Sequence, residues 1–270
     1  MASLILVTGA SRGFGRALSL AFTQNKSTSD DGDLHLVLWG RDAAGLAATA
    51  ADTKAAWQNQ TRVLHLTETA VDLSDEASYV PAIDAFLAAA AKLSLARIVV
   101  VHNAGTLGQV GRIVDVSSPE LVRTHMELNV NSVLWFNKRL LQRYGEQGSH
   151  KSPVVYLVNV SSLNAIEPFA TCGLYCVFKA ARDMHFRVVA KEEPSVKALN
   201  YAPGPMETAM GDELRDGPST DPTLQSMFQQ LKTKGMYVDV HASAQLCVNH
   251  LFGSTLVSGS HIDYYDICSA

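Results

Sequence analysis

Short apolar runs alternate with longer segments of helical character along most of the chain. The runs are Leu4–Val7, Leu34–Trp39, Val63–Leu66, Arg97–Val101, Val154–Val160 and Val196–Leu199, with a last short one near His261–Tyr264. They are too short for helices and rich in Val, Ile and Leu, as strands covered on both faces must be. Between them, Phe14–Gln24, Ala43–Gln58, Asp75–Lys92, Leu121–Tyr144 and Gly173–Lys191 read as helices. Strand then helix, repeated, predicts right-handed crossovers and an α/β fold, a doubly wound parallel sheet with helices on both faces. No repeat or linker divides the chain, so residues 1–270 read as a single domain. The polar stretch Asn25–Asp33 predicts a surface loop. Gly211–Pro222 interrupts the rhythm just after a Pro-Gly-Pro turn. It is either an ordinary long loop or a mobile segment able to cover a site at the C-terminal edge of the sheet.

Composition narrows the setting. Charged residues make up 18% and hydrophobic ones 47%, and the net charge is −4. This is a globular balance with no footprint for nucleic acid or an anionic membrane, so an anionic ligand needs a local cluster of donors. The apolar start is broken at once by Thr8-Gly9 and lacks a charged leader, which argues against a secretory signal. No apolar run approaches the roughly 18 residues of a membrane span. A cytoplasmic chain is expected, with Cys172, Cys176, Cys247 and Cys268 as free thiols and no metal site.

The stretch LILVTGASRGFGRAL, residues 4–18, reads as a strand, a glycine-rich turn and a helix start. Gly9, Gly13 and Gly15 leave room for backbone to approach a pyrophosphate, whose charge a helix N-terminus favours. The spacing is G-x-x-x-G-x-G rather than the commoner G-x-G-x-x-G. An NAD site usually places a carboxylate at the end of the second strand. Here Arg41 comes at that point, ahead of Asp42, and Arg12 sits inside the glycine turn. Two guanidiniums suit a 2′-phosphate, so the expected cofactor is NADPH/NADP+.

Three further stretches follow in order: HNAG at 102–105, NVSS at 159–162, and Tyr175 with Lys179 as Y-x-x-x-K. Together with TGASRGFG they identify the chain as resembling the short-chain dehydrogenase/reductase family over nearly its whole length. The resemblance implies a Rossmann-type domain and an NADPH-dependent oxidoreductase. One departure is His102, where that family usually has asparagine; at the end of a buried strand it reads as a satisfied core histidine. The sequences GLYCVFKAARDM (173–184), EEPSVKALNYAPGPMETAM (192–210) and SGSHIDYYD (258–266) are similar to a subgroup that reduces carbonyls on pteridine side chains.

The resemblance also assigns roles. Tyr175 protonates the carbonyl oxygen, Ser162 is the second donor to it (with Ser161 the rival), and Lys179 holds the nicotinamide ribose. Asn129, with Asn131 two residues on, helps relay protons to Lys179. Positions i and i+4 share a helical face, so the Lys179 ammonium is expected to lower the Tyr175 pKa from its usual value of about 10. Cofactor contacts are implied for Gly9, Ala10, Ser11, Arg12, Gly13, Phe14 and Gly15, for Arg41 and Asp42, and for Asp72 and Leu73 beside the adenine. They are also implied for Asn103, Ala104, Gly105, Tyr175 and Lys179, and for Pro203, Gly204, Met206 and Thr208 near the nicotinamide. Substrate contacts fall to Ser162, Leu163, Tyr175, Gly204 and Asp263. A carboxylate accepts the paired N–H groups of a pterin edge well, and the subgroup's anchoring aspartate matches Asp263, with Asp266 the alternative. The helices Leu121–Tyr144 and Gly173–Lys191 pair in a homodimer in that family. A broad carbonyl reductase and a non-catalytic NADPH-binding module are the competing readings.

Overall fold

A computed structural model of the chain describes residues 1–25, 27, 32–58, 61–148 and 153–268. Its elements run β1 (Ala2–Thr8), α1 (Gly13–Gln24), β2 (Leu34–Gly40), α2 (Ala43–Ala56), β3 (Leu64–Ala70), α3 (Glu76–Ala90) and β4 (Leu95–His102). Then come α4 (Pro119–Met126), a π-helical turn (Glu127–Asn131), α5 (Ser132–Tyr144), β5 (Val154–Val160), α6 (Gly173–Glu192) and β6 (Lys197–Ala202). The C-terminal part holds α7 (Ala209–Asp216), α8 (Pro222–Thr233), α9 (Val240–Phe252), β7 (His261–Asp263) and α10 (Tyr264–Ile267).

All seven strands lie parallel in one sheet of order β3-β2-β1-β4-β5-β6-β7. Alternate residues of a strand face opposite ways, and both faces are covered. Leu4 and Leu6 of β1, with Ile98 and Val100 of β4, pack on the side of Ile83, Phe86, Phe136 and Phe186. Ile5, Val7, Val99 and Val101 pack on the other, against Leu18, Phe22, Leu46 and Val248. Each such fully buried side chain contributes roughly 1.5–3 kcal/mol. Helices on both faces of a parallel sheet form the expected α/β architecture, and the strand order reverses between β1 and β4. Ligands of such sheets lie outside the C-terminal strand ends at that reversal.

The structure corrects two expectations. The segment 121–144 is not one regular helix: it begins at Pro119, behind the Ser118 cap, and is broken by the π turn. The interruption expected over 211–222 is the body of α7, a short link and the start of α8. Residues 26 and 28–31 of the polar stretch 25–33 lie outside the described residues. Among the described residues, no helix is long and apolar enough to cross a membrane.

Candidate active site

A cleft of about 1490 Å³ runs along the C-terminal ends of the strands. That exceeds the roughly 300–1,000 Å³ of a drug-sized pocket and suits two ligands side by side. At one end the glycine turn meets the β4 terminus. Gly9 has φ +66°, and a Cβ there would lie 2.9 Å from Asn103 Nδ2 and 3.0 Å from Ala104 Cα, so only glycine fits. Asn103 Nδ2 donates to the Thr8 carbonyl at 3.0 Å, tying the two strand ends together. Arg12 precedes α1 without capping it through a side-chain hydrogen bond, and the first turn of α1 carries no acidic residue. Backbone N–H groups and a positive helix end there suit phosphate. Arg12 and Arg41 both line the cleft, and Arg41 lies 4.0 Å from Asp72. A cradle that excludes side chains, beside two guanidiniums, fits a phosphorylated dinucleotide.

The other end is built on α6 and the loop after β5. Tyr175 is 8% and Lys179 4% exposed, both on the buried face of α6. Lys179 Nζ lies 5.4 Å from the centre of the Tyr175 ring and donates to the Val160 carbonyl. Burial pushes the Tyr175 phenol up to about 12, opposed first by a hydrogen bond with Ser162 and then by the charge of Arg182. The expected acidifying partner was Lys179. In the structure burial, reinforced by Arg182, lowers the Lys179 pKa well below its usual value, and the charge of Arg182 also acts to lower that of the phenol.

Of the two serines, Ser162 is the one hydrogen-bonded with the phenol, and its Oγ lies 3.0 Å from Asn164 Oδ1. Ser161 is committed to the buried carboxylate of Asp183. Asn129 and Asn131 part in the same way. The π turn brings Asn129 inward, where its Oδ1 accepts from Thr106 N at 3.0 Å and its Nδ2 donates to the His125 carbonyl at 2.9 Å. Asn131 is exposed and donates to Glu127 at 2.7 Å. A π turn inside a helix often marks a functional position.

Most residues expected at the site line this one cleft, including Leu73, Gly105, Leu163, Pro203, Met206 and Asp263. Ala10, Gly15, Asp72 and Asn129 are not among its lining residues. Asp72 turns towards Ser74, accepting from its N–H at 2.9 Å and its hydroxyl at 2.6 Å. Gly204 has φ +77°, and a Cβ there would reach within 2.8 Å of Val238, so the Pro-Gly-Pro turn requires glycine. Thr208 caps α7, accepting from Gly211 N at 3.3 Å. Asp263 and Asp266 both line the cleft and cap α10 reciprocally, Asp263 Oδ1 accepting from Tyr265 N and Asp266 Oδ2 from Asp263 N.

Sequence reasoning missed the polar network behind the site. Arg182 is fully buried and donates to Asn159 Oδ1 at 2.7 Å, to the Ala104 carbonyl at 3.0 Å and to the His102 carbonyl. It therefore holds the end of β4 where Asn103 and Gly105 meet the cleft. Asp183 accepts from Ser161, Asn159 and His261. The available signal was position: Arg182 and Asp183 follow Tyr175 at i+7 and i+8, on the same helical face.

A family model described as short chain dehydrogenase matches residues 3–219. Sepiapterin reductase of Bos taurus is 37% identical over 265 residues, covering 98% of this chain and 95% of the relative. Sepiapterin reductase of Xenopus laevis is 36% identical over 267 residues, covering 97% and 95%. The crystal structure of the KRED1-Pglu enzyme superposes with a TM-score of 0.77 at 25% identity, covering 96% of this chain and 100% of that one. With its Y-x-x-x-K pair, upstream serine and glycine turn in one cleft, the chain belongs to the short-chain dehydrogenase/reductase family and is an oxidoreductase.

Proposed function

We propose that this protein is an NADPH-dependent reductase of pteridine side-chain ketones, sepiapterin and 6-pyruvoyl-tetrahydropterin, acting in tetrahydrobiopterin formation. The observation that carries the reading is the placement of Tyr175, Ser162 and Asp263 in one cleft, in a chain similar to sepiapterin reductases over nearly its full length. Arg12 and Arg41 would hold the 2′-phosphate, with the glycine turn on the pyrophosphate. When bound, the reduced nicotinamide supplies hydride to the carbonyl carbon.

The chain supplies the rest. Tyr175 carries its proton at neutral pH, as its raised pKa requires, and gives it to the carbonyl oxygen. Ser162 donates a second hydrogen bond to that oxygen as charge develops there. Lys179 and Asn129 serve the return of the proton to Tyr175 from solvent. Asp263 grips the amino-pyrimidinone edge, so orientation of the ketone supplies selectivity. The enzyme is a cytoplasmic homodimer in this reading, joined through the outer faces of α5 and α6.

The test is NADPH oxidation with sepiapterin beside a panel of unrelated carbonyls. Tyr175→Phe should cut kcat by about 10²–10⁴-fold while NADPH fluorescence still reports binding. Unchanged turnover in that variant defeats the mechanism; cofactor binding with no reduction of any carbonyl supports a binding module instead. A second reading, a broad carbonyl reductase, is favoured by the apolar roof of Met210, Leu214, Leu224 and Phe228 over the cleft. Equal rates on all carbonyls would support it.

A further inference from the structure

His261 and Asp263 are two positions apart on β7 and so share one side of the strand. Both line the cleft. Asp263 has a role in the function proposed above; His261 has none. Its Nδ1 lies 2.5 Å from Asp183 Oδ2, and Asp183 is locked in turn by Ser161 and Asn159. The ring is therefore held in one orientation. Its other nitrogen, Nε2, is buried and has no hydrogen-bond partner among the described residues.

The hydrogen on Nδ1 follows from its carboxylate partner, which can only accept. The hydrogen bond to Asp183 raises the imidazole pKa against the opposing effect of burial, with the charges of Asp183, Asp263 and Asp266 adding to the rise. The protonated ring carries a second N–H, at Nε2. Folded proteins retain few buried donors without acceptors. In the ring ion-paired with Asp183, Nε2 is such a group, and it belongs to a residue lining the cleft, where a ligand atom can supply the missing partner.

We infer that His261 is a specificity determinant, its Nε2–H donating to the ring carbonyl oxygen of the pterin whose adjacent N–H groups Asp263 accepts. The inference rests on the pterin reading above. A pterin edge presents an amino group, a ring N–H and a carbonyl oxygen in sequence. A carboxylate and an N–H donor on one side of a strand, about 6.6 Å apart along it, form its complement. A simple diketone offers no such edge, so the pair distinguishes the ring rather than the reacting carbonyl. No proton or hydride passes through His261; its contribution is recognition.

His261→Asn tests this directly, because the asparagine amide replaces Nδ1 and keeps the bond to Asp183 while removing the donor at Nε2. The ratio of kcat/KM for sepiapterin to that for the vicinal diketone benzil should fall about tenfold, through KM rather than kcat. A ratio within about twofold of the native protein overturns the assignment. His261→Gln, which sets an amide near the Nε2 position, should hold the ratio within about threefold; a loss as large as that of asparagine also overturns it. Should the asparagine variant not fold, a crystal of the native protein with pterin decides. Nε2 within about 3.2 Å of the ring oxygen supports the assignment, and a ring oxygen bound elsewhere defeats it. Native protein that reduces benzil but not sepiapterin defeats the pterin reading and this inference with it. Sepiapterin turnover with an unmoved ratio in His261→Asn defeats the role of His261 alone.

Discussion

His102 ends β4 with its ring edge-on against Phe136 and Phe186 and its Nε2 2.8 Å from Asn137 Oδ1. It is the satisfied core histidine expected from its place at the end of a buried strand. Burial and the nearby Arg182 push its pKa down to about 3 from the usual 6.5. Between those values the unfolded chain binds more protons than the folded one. The neutral ring thus costs nothing above pH 6.5, and stability is lost as the pH falls from there towards 3. His102→Asn should remove that loss, shrinking the difference in unfolding free energy between pH 7 and pH 5 by about 2 kcal/mol. Urea titrations at the two pH values measure it, and equal differences in both proteins would refute the account. The same scale shows why part of the site was invisible in the sequence. Tyr175 and Lys179 stand out because a motif marks them. Arg182 and Asp183 look like any charged pair on a solvated helix face until the helix is seen to bury them against β4 and β5.

At the scale of elements, the strands were legible because a sheet covered on both faces demands short unbroken apolar runs, and β1, β2, β4 and β5 are such runs. β3 was read as ending at Leu66, four residues before Ala70, because LHLTETA, at the sheet edge, alternates and carries exposed polar positions. The helices of the C-terminal part were lost among glycines and prolines. Their start signals are nonetheless present: Asp221 accepts from Thr223 N and Leu224 N ahead of Pro222, and Asp239 accepts from Ala242 N. The two helices α7 and α8 roof the cleft and share a small apolar cluster with Tyr175. A roof held by so few contacts should open independently of the sheet. Phe228→Ala should speed amide exchange in α7 and α8 and raise KM for substrate several-fold, leaving exchange in β1 and β4 unchanged. Accelerated exchange throughout the sheet would show instead that the roof and the core unfold together.

For the whole molecule, α6 serves two surfaces. Tyr175, Phe178, Lys179, Arg182 and Asp183 face inward, whereas Val177 is 52%, Met184 54% and Val188 41% exposed on the opposite side. Leu134 and Trp135 of α5 are also exposed, and this apolar face is the one proposed to meet a second copy. Light scattering at micromolar concentration should give twice the chain mass, and Met184→Asp with Val188→Asp should halve it; a monomeric native protein would rule the contact out. The inward face has its own consequence. Enclosing a lysine amine, a guanidinium and a carboxylate forgoes hydration that hydrocarbon would never have needed, so leucine or methionine at those three positions is often the more heat-resistant choice. Laboratory evolution that rewards survival of heating alone would therefore drift towards inert variants of this helix, and each round has to be screened for turnover as well.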